Sequence, residues 1–191
     1  MGKNIYLFVA PSGSGKTAVV ESLEKRYGLK AIQSYTTRPP RYDVESGHTF
    51  VSDKEFDTLN DICALTEFCG YRYGATTEQV NMHDLYVIDP KGVEYFKEHY
   101  KGNKQIRVIY IYSTVEVRYE RMKQRLMKKG ETPETAIKES LLRIANDGHE
   151  FYDYIHNVKP KDFVVQNNFE NTVDKVADEI YDYIKKMETK Q

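Results

Sequence analysis

A six-residue apolar run, Ile5–Ala10, flows without a break into Pro11-Ser12-Gly13-Ser14-Gly15-Lys16-Thr17. This junction restricts the fold more than anything else in the chain. A short, nearly all-apolar run is the pattern of a strand buried on both faces of a parallel sheet. Gly15–Tyr27 reads as a helix, with Val19, Val20 and Leu23 on one side and Gly28 where a helix would stop. The segment joining strand and helix fits the phosphate-loop pattern G-x-x-x-x-G-K-[ST], with Ala10 standing in place of the first glycine. Gly13 and Gly15 allow the backbone to curl so that successive N–H groups point at a phosphate. The helix adds the positive end of its dipole to the same spot. Lys16 supplies a point charge for the outer phosphates of ATP or GTP, Thr17 offers a hydroxyl to Mg²⁺, and Pro11, Ser12 and Ser14 complete the cradle. Ala10 is compatible with the loop provided its φ is negative.

The remainder keeps the alternation. Strands are expected at Ala31–Thr37, Phe50–Ser52, Ile62–Phe68, Leu85–Asp89, Ile106–Tyr112 and Phe163–Gln166. Helices are expected after the capping box Ser52-Asp53-Lys54-Glu55, over Val93–Tyr100, from Val115 to Lys129 with Gly130 ending it, after Thr132-Pro133, and over Thr172–Met187. The order is β-α-β, an excursion of small strands, then β-α-β-α-α-β-α. It predicts an open parallel sheet covered by helices, with an inserted lobe at about residues 34–82.

Composition narrows the function. With 28 Lys and Arg against 29 Asp and Glu, the net charge of −1 gives no global field for a nucleic-acid backbone. Forty per cent hydrophobic residues are enough for a core and 30 % charged residues keep the surface wet, which excludes a disordered or membrane-embedded chain. The longest apolar run, Ile106–Tyr112 with Arg107 inside it, is far short of the ~20 residues that cross a bilayer. No cationic, apolar segment opens the chain, so a cytoplasmic protein is expected, with Cys63 and Cys69 as reduced thiols.

The second informative segment is Ser34-Tyr35-Thr36-Thr37-Arg38-Pro39-Pro40-Arg41. Two arginines three apart, stiffened by prolines and flanked by hydroxyls, make a preorganised clamp for a phosphate dianion. Coming about twenty residues after a phosphate loop, the clamp points to a second, phosphate-bearing substrate.

With A-P-S-G-S-G-K-T, S-Y-T-T-R-P-P-R, E-S-G-H-T-F-V-S, G-Y-R-Y-G-A, M-K-Q-R-L-M-K-K-G and F-V-V-Q-N-N in this order, the chain resembles guanylate kinase from about Asn4 to Ile184. The resemblance implies an α/β fold: a phosphate-loop, three-layer α/β/α core with a central parallel sheet, an inserted small mixed lobe for a nucleoside monophosphate, and a helical lid. The core would take residues 1–33, 83–120 and 144–191, the lobe 34–82 and the lid 121–143. It implies Mg²⁺-dependent transfer from ATP, with small-molecule nucleotides as partners and no nucleic acid or membrane; oligomeric state stays open. Ser34, Arg38, Arg41 and Tyr73 match residues that hold the monophosphate. Arg125 and Arg143 match lid arginines that reach the transferring group, and Lys129 stands where a further arginine is usual. Asp89 matches an acidic residue near the metal and the acceptor.

Departures from the family cluster at base recognition. Ala64 stands where a glutamate reads guanine, Ala75 where a small hydroxyl residue faces the base, and Val87 where an acidic residue is usual. The tyrosine before F-V-S is missing, with His48 and Thr49 nearby. Either the base is read by substitutes such as Glu67 or His48, or the acceptor is another phosphorylated small molecule. Each lost hydrogen bond to a buried base edge costs about 1–3 kcal/mol. The leading expectation is transfer from ATP to GMP. The alternatives are a kinase for another phosphorylated small molecule, such as ribose 1,5-bisphosphate, and a guanylate kinase-like binding module.

Overall fold

The computed structural model describes residues 2–40, 43, 45, 47–68, 70–156 and 159–189. Two compact units divide the chain, one made of residues 1–7 and 29–107, the other of 8–28 and 108–191.

The central sheet is parallel and holds β1 (Asn4–Val9), β6 (Leu85–Val87), β7 (Gln105–Tyr112) and β8 (Phe163–Gln166) in the order β6-β1-β7-β8. β1 is buried along its whole length, as its apolar run requires. β7 and β8 run in register, Ile109 beside Phe163 and Ile111 beside Val165.

In the first unit a mixed sheet takes the order β3-β2-β5-β4, with β2 (Ser34–Thr36), β3 (His48–Phe50), β4 (Ile62–Phe68) and β5 (Tyr71–Thr76). β2 and β3 are parallel, and β5 is antiparallel to both β2 and β4. Short helices α2 (Asp53–Asp57) and α3 (Thr77–Met82) each start from a complete capping box, Ser52 with Glu55 and Thr76 with Gln79. The ten-residue α4 (Pro90–His99) starts from Asp89, whose carboxylate accepts the Gly92 N–H at 2.6 Å.

The second unit carries α1 (Lys16–Tyr27), α5 (Val115–Lys128), α6 (Pro133–Glu150), the single turn α7 (Tyr152–Ile155) and α8 (Val173–Thr189). α1 ends at Gly28 in the left-handed conformation (φ 68°) and packs on α8, with Tyr27 stacked on Tyr181 at 3.7 Å. α5 and α6 pack on one another and are joined through Gly130 (φ 91°). Among the described residues no helix is long and apolar enough to cross a membrane.

Several expected boundaries move. The strand anticipated at Ala31–Thr37 contracts to β2, leaving Ala31 in an isolated bridge with Leu85. The strand anticipated at Phe50–Ser52 is β3, two residues earlier, because the Ser52 hydroxyl caps α2 instead of entering a ladder. α4 begins at Pro90, since Asp89-Pro90 is an N-cap followed by a proline at the first helical position. β5, α3 and α7 were not anticipated as separate elements. Helix α6 runs unbroken through the expected lid boundary at 143. Cys63 is a buried free thiol, and burial pushes it up to about 11; Cys69 lies outside the described residues.

Candidate active site: a braced phosphate loop and an arginine clamp

The phosphate loop lies wholly in the second unit. Gly13 (φ 79°) and Gly15 (φ 83°) both take the left-handed conformation that the curled loop requires. Among the described residues Asp61 is the only non-glycine with positive φ, so Ala10 meets its condition. Gly15 caps α1 without a side-chain hydrogen bond, and no acidic residue occupies the first turn, so the dipole is not neutralised there. Lys16 is half-buried and Thr17 exposed, while Pro11 and Ser14 are buried. The Ser14 hydroxyl is enclosed and has no hydrogen-bond partner.

The loop is held in shape by residues far along the chain. Every polar group of Ser12 is engaged. Its N–H donates to Asp147 Oδ2 at 2.7 Å, its carbonyl accepts from Arg118 Nε at 2.9 Å, and its hydroxyl accepts from Arg143 Nε at 2.6 Å. Arg118 Nη2 donates to the same Asp147 Oδ2 at 2.7 Å, in a pair whose side chains are 4 % and 0 % exposed. Asn167 Nδ2 donates to the Ser14 carbonyl at 2.8 Å, and Arg121 Nη1 donates to the Asn167 carbonyl at 2.9 Å. A buried ion pair lasts only when hydrogen bonds satisfy its remaining valences. Here the loop backbone supplies them.

The clamp belongs to the first unit. Ser34 and Thr36 are buried on β2, and Tyr73 on β5 is the register partner of Thr36. Ser34 Oγ lies 2.9 Å from His48 Nδ1, and the His48 ring meets Tyr73 edge-on at 5.5 Å. Of the two residues near the missing tyrosine, His48 makes these contacts, whereas the Thr49 hydroxyl donates to the Gln33 carbonyl at 3.4 Å. Arg38 is 8 % exposed and pairs through both terminal nitrogens with Glu45, at 2.8 and 3.1 Å. Hydrogen bonding to Glu45 raises its pKa, against the opposing effect of burial, and the Tyr73 phenol adds a smaller rise. Arg41 lies outside the described residues.

The base-reading positions come out differently from expectation. Ala64 and Ala75 are register partners on β4 and β5, 1 % and 0 % exposed. Along β4 side chains alternate between faces. Thr66, opposite Tyr73, therefore shares a face with Ala64, whereas Glu67, opposite Arg72, is exposed on the other face. Glu67 thus lies on the face opposite the one that carries Ala64 and Tyr73. Val87 is exposed.

Of the remaining expected residues, Asp89 uses one carboxylate oxygen as the N-cap of α4. Arg125 is exposed in the last turn of α5, where it complements the helix dipole. Arg143 already touches the loop through Ser12. Among the described residues no group of three or more His, Cys, Asp or Glu side chains stands ready for a metal. Thr17, exposed immediately after Lys16, fits a Mg²⁺ ion that takes its other ligands from nucleotide phosphates and water. Asp147, Arg118, Arg121 and Asn167 were missed by the sequence reading, and Asp147 alone carried a usable signal as a carboxylate four residues after Arg143.

No protein-family model matches the chain. It is 42 % identical over 84 residues to the guanylate kinase of Neisseria gonorrhoeae, a match covering 41 % of each chain. It is 29 % identical over 183 residues to that of a Polaromonas species, covering 89 % of this chain and 82 % of that one. The chain thus spans about two-fifths of some curated relatives it matches and about four-fifths of others. The crystal structure of guanylate kinase from Anaplasma phagocytophilum superposes with a TM-score of 0.61 at 20 % identity, covering 100 % of this chain and 89 % of that one. In sequence this chain is similar to curated guanylate kinases, and in fold it is similar to a solved one.

Proposed function

We propose that the protein transfers the terminal phosphoryl group of ATP to the phosphate of a nucleoside monophosphate, with GMP as the leading acceptor and ADP as the other product. The observation that carries this reading is the braced phosphate loop, in which Gly13, Gly15 and Lys16 are held by contacts to Ser12 and Ser14. Similarity to guanylate kinases over most of the chain supports it.

In this reading Lys16 and the loop N–H groups hold the donor phosphates. A nucleotide-bound Mg²⁺ would neutralise charge there, with the Thr17 hydroxyl as a protein ligand. Ser34, Arg38, Arg41 and Tyr73 hold the acceptor phosphate. Its oxygen attacks the γ-phosphorus as the bond to the β–γ bridging oxygen breaks, leaving ADP. The acceptor is already a dianion at neutral pH, so no general base is required, and positioning with charge stabilisation does the work. Arg125 and Arg143 act on the transferring group. The compartment that fits this activity is the cytoplasm.

A second reading has its own observation. Ala64 and Ala75 present methyl groups that are almost completely covered, which favours an acceptor with no guanine to be read there, such as a phosphorylated sugar. The test is ADP release from Mg²⁺-ATP with GMP, AMP, ribose 5-phosphate and ribose 1,5-bisphosphate offered separately, for the protein and for Lys16→Ala. Transfer to one acceptor that is lost in Lys16→Ala, with the fold intact, supports the kinase. A binding module would release no ADP with any of them.

A further inference from the structure

The two terminal nitrogens of Arg38 are committed to neighbouring oxygens. Nη1 and Nη2 both donate to the Glu45 carboxylate, at 3.1 and 2.8 Å, and Nη1 also donates to the Pro39 carbonyl at 2.8 Å. Nε is enclosed and has no partner. A guanidinium carries five N–H bonds in one plane. Pairing end-on with a carboxylate leaves the edge formed by Nε and Nη2, whose parallel N–H bonds match two oxygens of a phosphate. The plane itself is held, because the guanidinium lies over the Phe50 ring at 5.3 Å and the Glu45 side chain is only 7 % exposed. An enclosed donor without a partner needs an acceptor to complete it, and a bound phosphate supplies one.

Resting on the kinase reading above, we propose that Glu45 is a positioning residue, which grips the end of Arg38 so that the Nε–Nη2 edge is presented to the phosphate of the acceptor. Glu45 itself does not touch the acceptor. Its carboxylate fixes the rotation of the guanidinium, and the phosphate meets a fork already oriented. A fork that had to be ordered at each binding event would cost affinity.

The test compares Glu45→Ala and Glu45→Gln with the unmodified protein in two assays. In steady-state transfer, Glu45→Ala raises the acceptor KM tenfold or more and leaves the ATP KM within twofold. Glu45→Gln, which keeps the volume and one acceptor oxygen, loses less than threefold. An unchanged acceptor KM in Glu45→Ala overturns the proposal, and a lowered one overturns it by showing that the carboxylate competes with phosphate. Thermal melts check that Glu45→Ala is folded; if it is not, Glu45→Asp takes its place with the same expected rise. The second assay follows the Arg38 Nε–H resonance, identified by its loss in Arg38→Lys, during titration with GMP and ribose 5-phosphate against guanosine and ribose. The resonance shifts with at least one phosphorylated compound only, and the shift is lost in the Glu45 variant that lacks the pair. A resonance that stays still overturns the proposal even when turnover is normal. Absence of transfer to every acceptor overturns the kinase reading, and the resonance then decides the role of Glu45 by itself.

Discussion

Asp147 and Ser12 are separated by 135 positions, yet the carboxylate of the first accepts the backbone N–H of the second at 2.7 Å while it also pairs with Arg118. Removing it leaves Arg118 as an uncompensated buried charge and frees the loop. Asp147→Ala therefore costs about 3–5 kcal/mol of stability. Chemical denaturation measures that loss, and the ATP KM rises in the same variant. A variant with unchanged stability would show that the buried pair is not what holds the loop.

Gly13 separates backbone strain from close approach. A Cβ there would lie 2.6 Å from the carbonyl oxygen of Arg118, at a φ of +79°, whereas a Cβ on Gly28, at +68°, meets nothing within 4 Å. Gly28→Ala carries the left-handed strain alone, about 1–3 kcal/mol. Gly13→Ala adds a clash with backbone that cannot rotate away. It is the less stable of the two, and it alone weakens ATP binding. Equal losses in a paired denaturation experiment would remove the close-approach argument.

The loop was legible because its determinants are contiguous. A buried strand, two glycines, Lys16 and an amphipathic helix sit within one short stretch, and the structure keeps all of them. The capping box Thr76–Gln79 and the pair Asp89-Pro90 were equally local and were available to mark α3 and the start of α4. What was not legible depends on distance or parity. Arg118 and Asp147 come to the loop from helices more than a hundred positions away, and nothing in either helical pattern names Ser12 as the target. Glu67 against Thr66 is a question of a single-residue register, which only the pairing of β4 with β5 answers. Glu45 follows Arg38 by seven residues in a turn, a spacing with no periodic meaning.

On the kinase reading, weak base selection is the expected outcome. Pockets that pair every donor on a base reject analogues strongly, whereas methyl-lined ones do not. The expected ratio of kcat/KM for GMP over AMP is below about 10², since Ala64, Ala75 and Val87 stand at the reading positions that the resemblance implies, each worth about 1–3 kcal/mol. A ratio near 10⁴ in a side-by-side assay would mean that other residues read the guanine. Ala64→Glu does not rescue it. With Ala64 1 % exposed and facing Ala75, the new carboxylate is buried without a partner, and the melting temperature falls.

Alkaline pH exposes Cys63. Its thiol titrates at about 11 in the folded protein against an ordinary value of 9.0, chiefly because burial disfavours the thiolate. The folded state therefore holds a proton that the unfolded chain has released between these values, and stability declines as pH rises from about 9 to 11. Below 9 this contribution is fully present. Denaturation midpoints measured across the interval fall more steeply for the unmodified protein than for Cys63→Ala. Parallel slopes would assign the alkaline loss to the buried tyrosines, of which Tyr110 is pushed up to about 12.

Helix α6 is 18 residues long and meets the loop through Arg143 and Asp147, near its C-terminal end. At 1.5 Å per residue, Asp147 lies about 21 Å from Pro133 and about 6 Å from Arg143. With Asp147 as fulcrum, displacing the far tip by about 5 Å swings Arg143 by about 1.5 Å in the ratio of the two arms. That travel exceeds the tolerance of the 2.6 Å contact between Arg143 and the Ser12 hydroxyl. A rod pivoting there would act as a reducing lever, in which a coarse excursion of the far tip makes or breaks a single hydrogen bond close to the pivot.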